Sequence, residues 1–227
     1  MISGAVQVDV DTSISVRNGK CMSNQIDLFD LPHIEEITTN HPRVVGCLGV
    51  SAGIDSEREF FDYYATDPIA AEWLIKLEKL NLNIWECAAG EGNLSKVFES
   101  NGFTVKSTDL IDRGYGTGGI DFLACEDKFD GDIVTNPPYS LAQDFIEHAL
   151  SLIPIGNKVC MFLKVQFMEG KNRRRLFDNA PPIRIWVSSS RISCSKRNAT
   201  YGGSMIDYAW DVWEKGYTGD TILKWFN

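Results

Sequence analysis

From residue 66 onward the chain alternates two kinds of apolar spacing. Ile69, Trp73, Leu74, Leu77 and Leu80 recur at helical intervals and predict a helix with one buried face. Thr66 or Asp67 can cap that helix, and Pro68 suits its first turn. Residues 83–87 then form a short apolar run, read as a buried strand. Residues 93–100 read as a helix stopped near Asn101-Gly102. Residues 103–108 form a second strand ending at Asp109, and 114–119 are a glycine-rich loop. A short third strand, or its exit, is expected at 120–123, and a fourth strand at 132–135. Ala142, Phe145, Ile146, Ala149, Leu150 and Ile153 mark another helix. Residues 158–165 are nearly all apolar, so this fifth strand is expected at the centre of a sheet. A basic loop or helix follows at 171–177. Two further strands, 183–187 and 206–213, flank a long polar loop and suggest an antiparallel hairpin. Strands alternating with helices predict an α/β fold: a mostly parallel central sheet, helices on both faces, the hairpin added at the C-terminal side.

Residues 1–55 follow no such rhythm. Weak alternation at 6–16 suggests a strand, and 43–50 suggests another, but Asn18-Gly19, Leu31-Pro32 and Asn40-His41-Pro42 are breakers. This segment is expected to be a weakly structured arm or lid, with a single catalytic domain over 56–227. Its first ten residues carry neither a basic flank nor an apolar core, so no signal peptide is expected. No apolar run is long enough to cross a bilayer. The six cysteines form no Cys-x-x-Cys pair, which excludes a zinc cluster or disulfide framework and fits reduced thiols in the cytoplasm. The three histidines lack metal-ligand spacing, so no metal is expected.

Charge adds a local signal. The net charge of −9 argues against a general nucleic-acid coat protein. Yet from Lys158 to Arg197 the cations Lys158, Lys164, Lys171, Arg173, Arg174, Arg175, Arg184, Arg191, Lys196 and Arg197 face only Glu169 and Asp178. One basic stretch on an acidic protein points to an anionic substrate met locally.

Ligands of open α/β sheets bind beyond the carboxyl ends of the strands. At those ends stand Glu86-x-x-x-Gly90-x-Gly92, then Asp109, then Asn136-Pro137-Pro138-Tyr139. Glycines let a backbone turn sharply beside a ligand, and an acid about twenty residues further on suits a ribose. In the tetrapeptide, Asn136 Oδ1 and the Pro137 carbonyl can both accept from one NH2 group. Neither proline supplies a competing N–H, and the Tyr139 ring offers a face to a flat substrate. A dinucleotide site would call for the full Gly-x-Gly-x-x-Gly, which is missing.

The tetrapeptide resembles motif IV of the S-adenosylmethionine-dependent amino-methyltransferases. Glu86–Gly92 and Asp109 resemble motifs I and II of the class I methyltransferases, and the segment from Tyr64 to Pro68 resembles motif X. The likeness runs from about residue 60 onward and implies a Rossmann-like class I methyltransferase fold with S-adenosylmethionine as cofactor. It implies cofactor contacts from Tyr64, Thr66, Glu86, Ala88, Gly90, Gly92, Asp109, Leu110, Asp121, Phe122 and Asn136, with Asn136, Pro137, Pro138 and Tyr139 as the catalytic group. The C-terminal part is similar to small phage or prophage DNA N6-adenine methyltransferases. That implies transfer to adenine N6, DNA favoured over RNA. Tyr139, Lys171, Arg173, Arg174, Arg175, Arg191, Lys196 and Arg197 would then meet the nucleic acid. Alternatives are an RNA base amine, a protein glutamine, or a non-catalytic nucleic-acid-binding protein with the same fold. Trp210 and Trp213 read as core. No separate target-recognition domain is expected, so readout would fall to residues 1–55, to the loop 188–205, or to a specificity partner or second copy.

Overall fold

Apolar runs too short for helices and buried on both sides must pair laterally, and here they do so in a seven-stranded sheet. The structure, a computed structural model, describes residues 65–190, 192, 194–195 and 207–227. The expected arm and its strands, together with Tyr64, Arg191, Lys196 and Arg197, lie outside the described residues.

In chain order the elements are β1 (Ala65–Thr66), α1 (Ile69–Leu77), β2 (Asn83–Glu86), α2 (Ser95–Ser100), β3 (Thr104–Ser107), β4 (Asp132–Thr135) and α3 (Ala142–Leu152). Then come β5 (Lys158–Lys164), α4 (Arg174–Asn179), β6 (Arg184–Ser188), β7 (Cys194–Ser195), β8 (Tyr208–Glu214) and β9 (Ile222–Phe226). The sheet order is β3-β2-β4-β5-β8-β6-β9, so β5 is central, as its composition requires. Strands β3, β2, β4 and β5 are mutually parallel. Strand β8 runs antiparallel to both β5 and β6, slotted between them, so the expected hairpin is part of the sheet itself.

Three features differ from the pattern reading. Residues 120–123 make no strand: Phe122–Ala124 is a 3-10 turn, because Asp121 Oδ1 accepts the Leu123 N–H at 3.0 Å and closes the backbone locally. Strand β9 is additional and pairs parallel with β6. A separate two-stranded ribbon joins β1 to β7, with Thr66 opposite Cys194.

The pleat sends alternate residues to two cores. Ile133, Val159, Met161 and Leu163 pack under α3, through Phe145, Ile146, Ala149 and Leu152. Ile84, Val134, Cys160, Phe162 and Trp210 pack under α1 and α2, through Ala70, Leu74, Leu94 and Phe98. Helices thus cover both faces. Trp210 and Trp213 are buried, and their indole N–H groups donate to Ala70 O (2.9 Å) and Ala180 O (3.0 Å), as large amphipathic rings in a core require.

The strand entries are fastened by charge. Glu78, just past α1, accepts from Lys158 Nζ at 2.8 Å, from Arg184 through Nε and Nη2, and from Trp186 Nε1 at 2.9 Å. Asp132 accepts the backbone N–H groups of Asn81 and Lys158, each at 2.7 Å. Glu78 and Asp132 at this edge therefore have partners, and the opposite edge carries the motif residues.

Burial pushes the Glu78 carboxyl up, but hydrogen bonds from Arg184, Lys158 and Trp186 outweigh it and hold the group at about 2, below its ordinary 4.5. Its contribution to stability is complete above pH 4.5 and lost as pH falls toward 2. Glu78→Gln is expected to lower stability near pH 7 by about 3 kcal/mol or more, because it leaves two cations unpaired. It should also flatten the acid limb between pH 4.5 and 2. Urea titrations across that range check both, and an unchanged acid limb would exclude Glu78 as its source.

Candidate active site

Strands β3, β2, β4 and β5 are parallel neighbours, so their carboxyl ends lie along one edge of the sheet. That edge collects the residues singled out by motif.

At the exit of β2, Glu86 is 2% exposed. Its Oε2 accepts from Ser95 N at 2.8 Å and from Ser95 Oγ, and Ser95 Oγ lies 2.6 Å from Ser107 Oγ. The acid therefore satisfies the first N–H of α2, which has no capping side chain of its own at Leu94. Burial pushes Glu86 up to about 8, with the Ser95 donors pulling the other way.

The Gly90 N–H donates to Asp109 Oδ2 at 2.7 Å, and Ile111 N donates to Oδ1 at 2.9 Å. Asp109 thus ties the glycine turn after β2 to the exit of β3. Each carboxylate oxygen retains further acceptor capacity, and burial raises the group. Gly92 has a different reason to be glycine. Its φ is +77°, and a Cβ there would stand 2.3 Å from the Tyr115 ring. Tyr115 comes from the glycine-rich loop and donates to Glu99 Oε1 at 3.0 Å, so the loop folds back beside α2.

Asn136 follows β4 directly. Its Nδ2 donates to Thr66 Oγ1 at 2.8 Å, while Thr66 O accepts from Asn93 Nδ2 at 3.3 Å. One residue of β1 therefore joins the turn after Gly92 to the tetrapeptide. With Nδ2 committed, Asn136 Oδ1 is turned inward, buried and without a hydrogen-bond partner, and so is Thr135 Oγ1 beside it. A buried acceptor left unmatched costs about 1–3 kcal/mol, and such groups in folded proteins call for an explanation in function.

Tyr139 is half-buried. Lys164 Nζ stands 4.3 Å from its ring centroid and Tyr208 packs at 6.2 Å, itself stacked on Phe162 at 5.2 Å. The ring is thus contacted by an aromatic neighbour and by a cation. Pro137 is buried, and Pro138 O receives Leu141 N at 2.9 Å, which starts the turn into α3.

The structure thus brings Thr66, Glu86, Gly90, Gly92, Asp109 and Asn136 together at the strand exits. Ala88 and Leu110 stand next to them, half-buried against the core. Phe122 lies in that core, edge-on to Trp85 at 5.3 Å and tilted against Phe145 at 5.0 Å, and Asp121 closes the turn before it. The basic residues separate. Lys171 and Arg173 line one cleft with Tyr139. Arg174 pairs with Asp178 at 2.7 Å in an exposed i,i+4 bridge, and Arg175 is exposed. Pattern reading counted Lys164 only as one cation of the basic stretch and passed over Ser95 and Tyr115. Lys164 carries a legible signal, a cation closing an apolar strand at the functional edge. The other two are revealed only by contact.

No family model matches the chain, and no curated protein matches it. Solved structures do. A Listeria monocytogenes protein assigned to the class I S-adenosylmethionine-dependent methyltransferases superimposes with a TM-score of 0.51 at 16% identity, over 77% of this chain and 68% of that one. A Pyrococcus horikoshii protein assigned as an RNA methyltransferase gives 0.53 at 15% identity, over 76% and 97%. The fold is that of the class I methyltransferases. Within this methyltransferase fold, helices cover both faces of a mostly parallel sheet whose exit edge carries the candidate site. At these identities the likeness concerns architecture. Among the described residues no helix is long and apolar enough to cross a membrane, and no cluster of His, Cys, Asp or Glu is arranged to hold a metal.

Between pH 4.5 and 8 the native protein keeps a proton on Glu86 that the unfolded chain has released, so stability falls as pH rises through that window. Asp211, also pushed to about 8 by burial, adds to the same slope. Glu86→Gln is expected to remove part of this decline and leave the Asp211 part. Denaturant unfolding from pH 5 to 8.5 measures it, and an unaltered slope would refute the assignment.

Proposed function

We propose that this protein transfers a methyl group from S-adenosylmethionine to an exocyclic amine, adenine N6 in DNA, in the cytoplasm. The observation that carries the reading is the buried, unmatched Oδ1 of Asn136 at the end of β4, on an amide whose Nδ2 donates to the Thr66 hydroxyl.

The residues present fit the cofactor. It carries an ammonium and ribose hydroxyls, both hydrogen-bond donors, and two carboxyl groups with acceptor oxygens, Glu86 and Asp109, stand at neighbouring strand exits around a turn opened by Gly90 and Gly92. Glu86 would face the methionine end, with Tyr64 and Thr66 closing it. Asp109 would hold the ribose hydroxyls, Ala88 and Leu110 would line the cofactor site, and Asp121, at the turn before the buried Phe122, would meet the adenine. The sulfonium supplies an electrophilic methyl group whose departure neutralises charge, so the site needs orientation and dry walls more than a strong acid.

An aromatic amine is a weak nucleophile because its lone pair is delocalised into the ring. Asn136 Oδ1 and the Pro137 carbonyl would accept its two hydrogens and favour the pyramidal nitrogen of the transition state. The hydrogen bond from Nδ2 to Thr66 Oγ1 fixes the plane of the amide. Tyr139, braced by Lys164 and Tyr208, would support the base. In a duplex the target base would leave the stack at a cost of a few kcal/mol. Lys171 and Arg175, with Arg191, Lys196 and Arg197, would track phosphates, while Arg173 and Arg174 are engaged within the chain. Sequence readout would fall to residues 1–55, the loop 188–205, or a partner or second copy.

A second reading keeps the chemistry and changes the polymer to RNA. It is favoured by the Pyrococcus horikoshii neighbour, which matches over 97% of its own length.

Mass spectrometry of nucleosides from DNA and RNA incubated with protein and S-adenosylmethionine is expected to show N6-methyldeoxyadenosine. Cofactor binding with no transfer to any nucleic acid would sink the proposal. Asn136→Ala should lower kcat about 100-fold or more with cofactor affinity nearly intact, since it removes an interaction made to the reacting nitrogen. Thr66→Val should lower kcat less and Thr66→Ser should restore it, whereas Asp109→Ala should weaken cofactor affinity first. Turnover unchanged in Asn136→Ala would reduce that residue to a turn former.

A further inference from the structure

The strand order sets three stations along the functional edge. Glu86, Gly90 and Asp109 belong to β2 and β3, on one side of β4. Asn136 leaves β4 itself. On the other side of β4, between the segments that follow β4 and β5, lies a cleft of about 380 Å³ that starts at Tyr139. If the donor occupies the first station and the amine the second, the third is where the remainder of the substrate must run.

The walls of the cleft say what that remainder is. Tyr139 and Gln143 form one side, and Phe167, Lys171, Asn172 and Arg173 form the other. Arg173 is not a loose surface cation. Its Nη1 donates to Phe167 O at 3.0 Å and to Glu169 O at 2.5 Å, and its guanidinium carbon stands 4.4 Å over the Phe167 ring. Phe167, 6% exposed, is fixed in turn against Phe177 at 6.1 Å. The result is a flat, immobilised cation built on an aromatic floor, a surface on which nucleobases stack. Lys171, exposed at the rim two residues before it, is a mobile point charge suited to a phosphate. Asn172 and Gln143 add amides able to meet a base edge. The volume suits one nucleotide and is too small for a duplex.

We infer that this cleft binds the nucleotide adjacent to the methylated one, its base laid on the Arg173 plane and its phosphate on Lys171. The inference rests on the methyl-transfer reading above and specifies its substrate: a strand that is unpaired for at least two nucleotides at the site. A peptide carrying a glutamine would use neither the plane nor the cation.

The test compares the full chain with its Lys171→Gln and Lys171→Arg variants on three substrates: an adenine-containing single-stranded DNA 9-mer, deoxyadenosine monophosphate, and a glutamine peptide. For the 9-mer, Lys171→Gln is expected to raise KM about tenfold with a smaller effect on kcat. It should also reduce the slope of log KM against log salt by about 0.7, the loss of one single-strand phosphate contact. Lys171→Arg should restore both, and cofactor affinity should be the same in all three proteins. An unchanged 9-mer KM and salt slope in Lys171→Gln would overturn the inference, and so would an equal loss on the mononucleotide, which would place Lys171 at the target nucleotide itself. If the unmodified chain methylates no nucleic acid, or only the peptide, the methyl-transfer reading on nucleic acid fails, and the unmodified control reports that separately.

Discussion

The candidate site turns on the hydrogen bond from Asn136 Nδ2 to Thr66 Oγ1. A side-chain amide has a donor end and an acceptor end of nearly the same shape. What surrounds it must choose between them. Here the Thr66 hydroxyl accepts from the donor end, and the acceptor end is buried without a hydrogen-bond partner. That costs folding free energy and gains a pre-oriented lone pair. The residues on either side have reasons to hold it so. Thr66 is anchored through its carbonyl to Asn93 and through β1 to β7, while Pro137 and Pro138 stiffen the chain beyond Asn136.

The two edges of the sheet divide the labour. At the strand entries the charged groups are mutually satisfied: Glu78 with Lys158, Arg184 and Trp186, and Asp132 with two backbone N–H groups. At the exits the acids are buried for a different purpose. Glu86 and Asp109 hold backbone in place, and burial raises both above their ordinary range. The exit edge is thus rich in poised polar groups, and the entry edge provides the rigidity that such groups need.

Charge follows the same logic. Among the described residues, the basic stretch at and after β5 is not uniform in role. Arg173 is consumed by two carbonyls and a ring, Arg174 by Asp178, and Lys164 by the Tyr139 face, while Lys171 remains at the rim of the cleft. The described cations of this stretch therefore differ in role, and counting them overstates how many meet a ligand.

The hydrophobic spacing by itself determined the fold class, the central place of β5, the helices at α1 and α3, and the strand exits where chemistry would gather, because burial on a parallel sheet and on a helix leaves period-specific marks. It also put Glu86, Gly90, Asp109 and the tetrapeptide at those exits. It mistook residues 120–123 for a strand, since a side-chain hydrogen bond from Asp121 overrides a short apolar run, and it missed β9 and the β1–β7 ribbon, whose pairing is non-local. Only the tertiary structure decided which way the Asn136 amide points, that Gly92 is glycine to admit Tyr115, that Glu86 caps α2 through Ser95, and which cations are braces. Those choices depend on side chains brought together from distant segments, Thr66 to Asn136 across seventy residues being the clearest, and no local pattern encodes such a meeting.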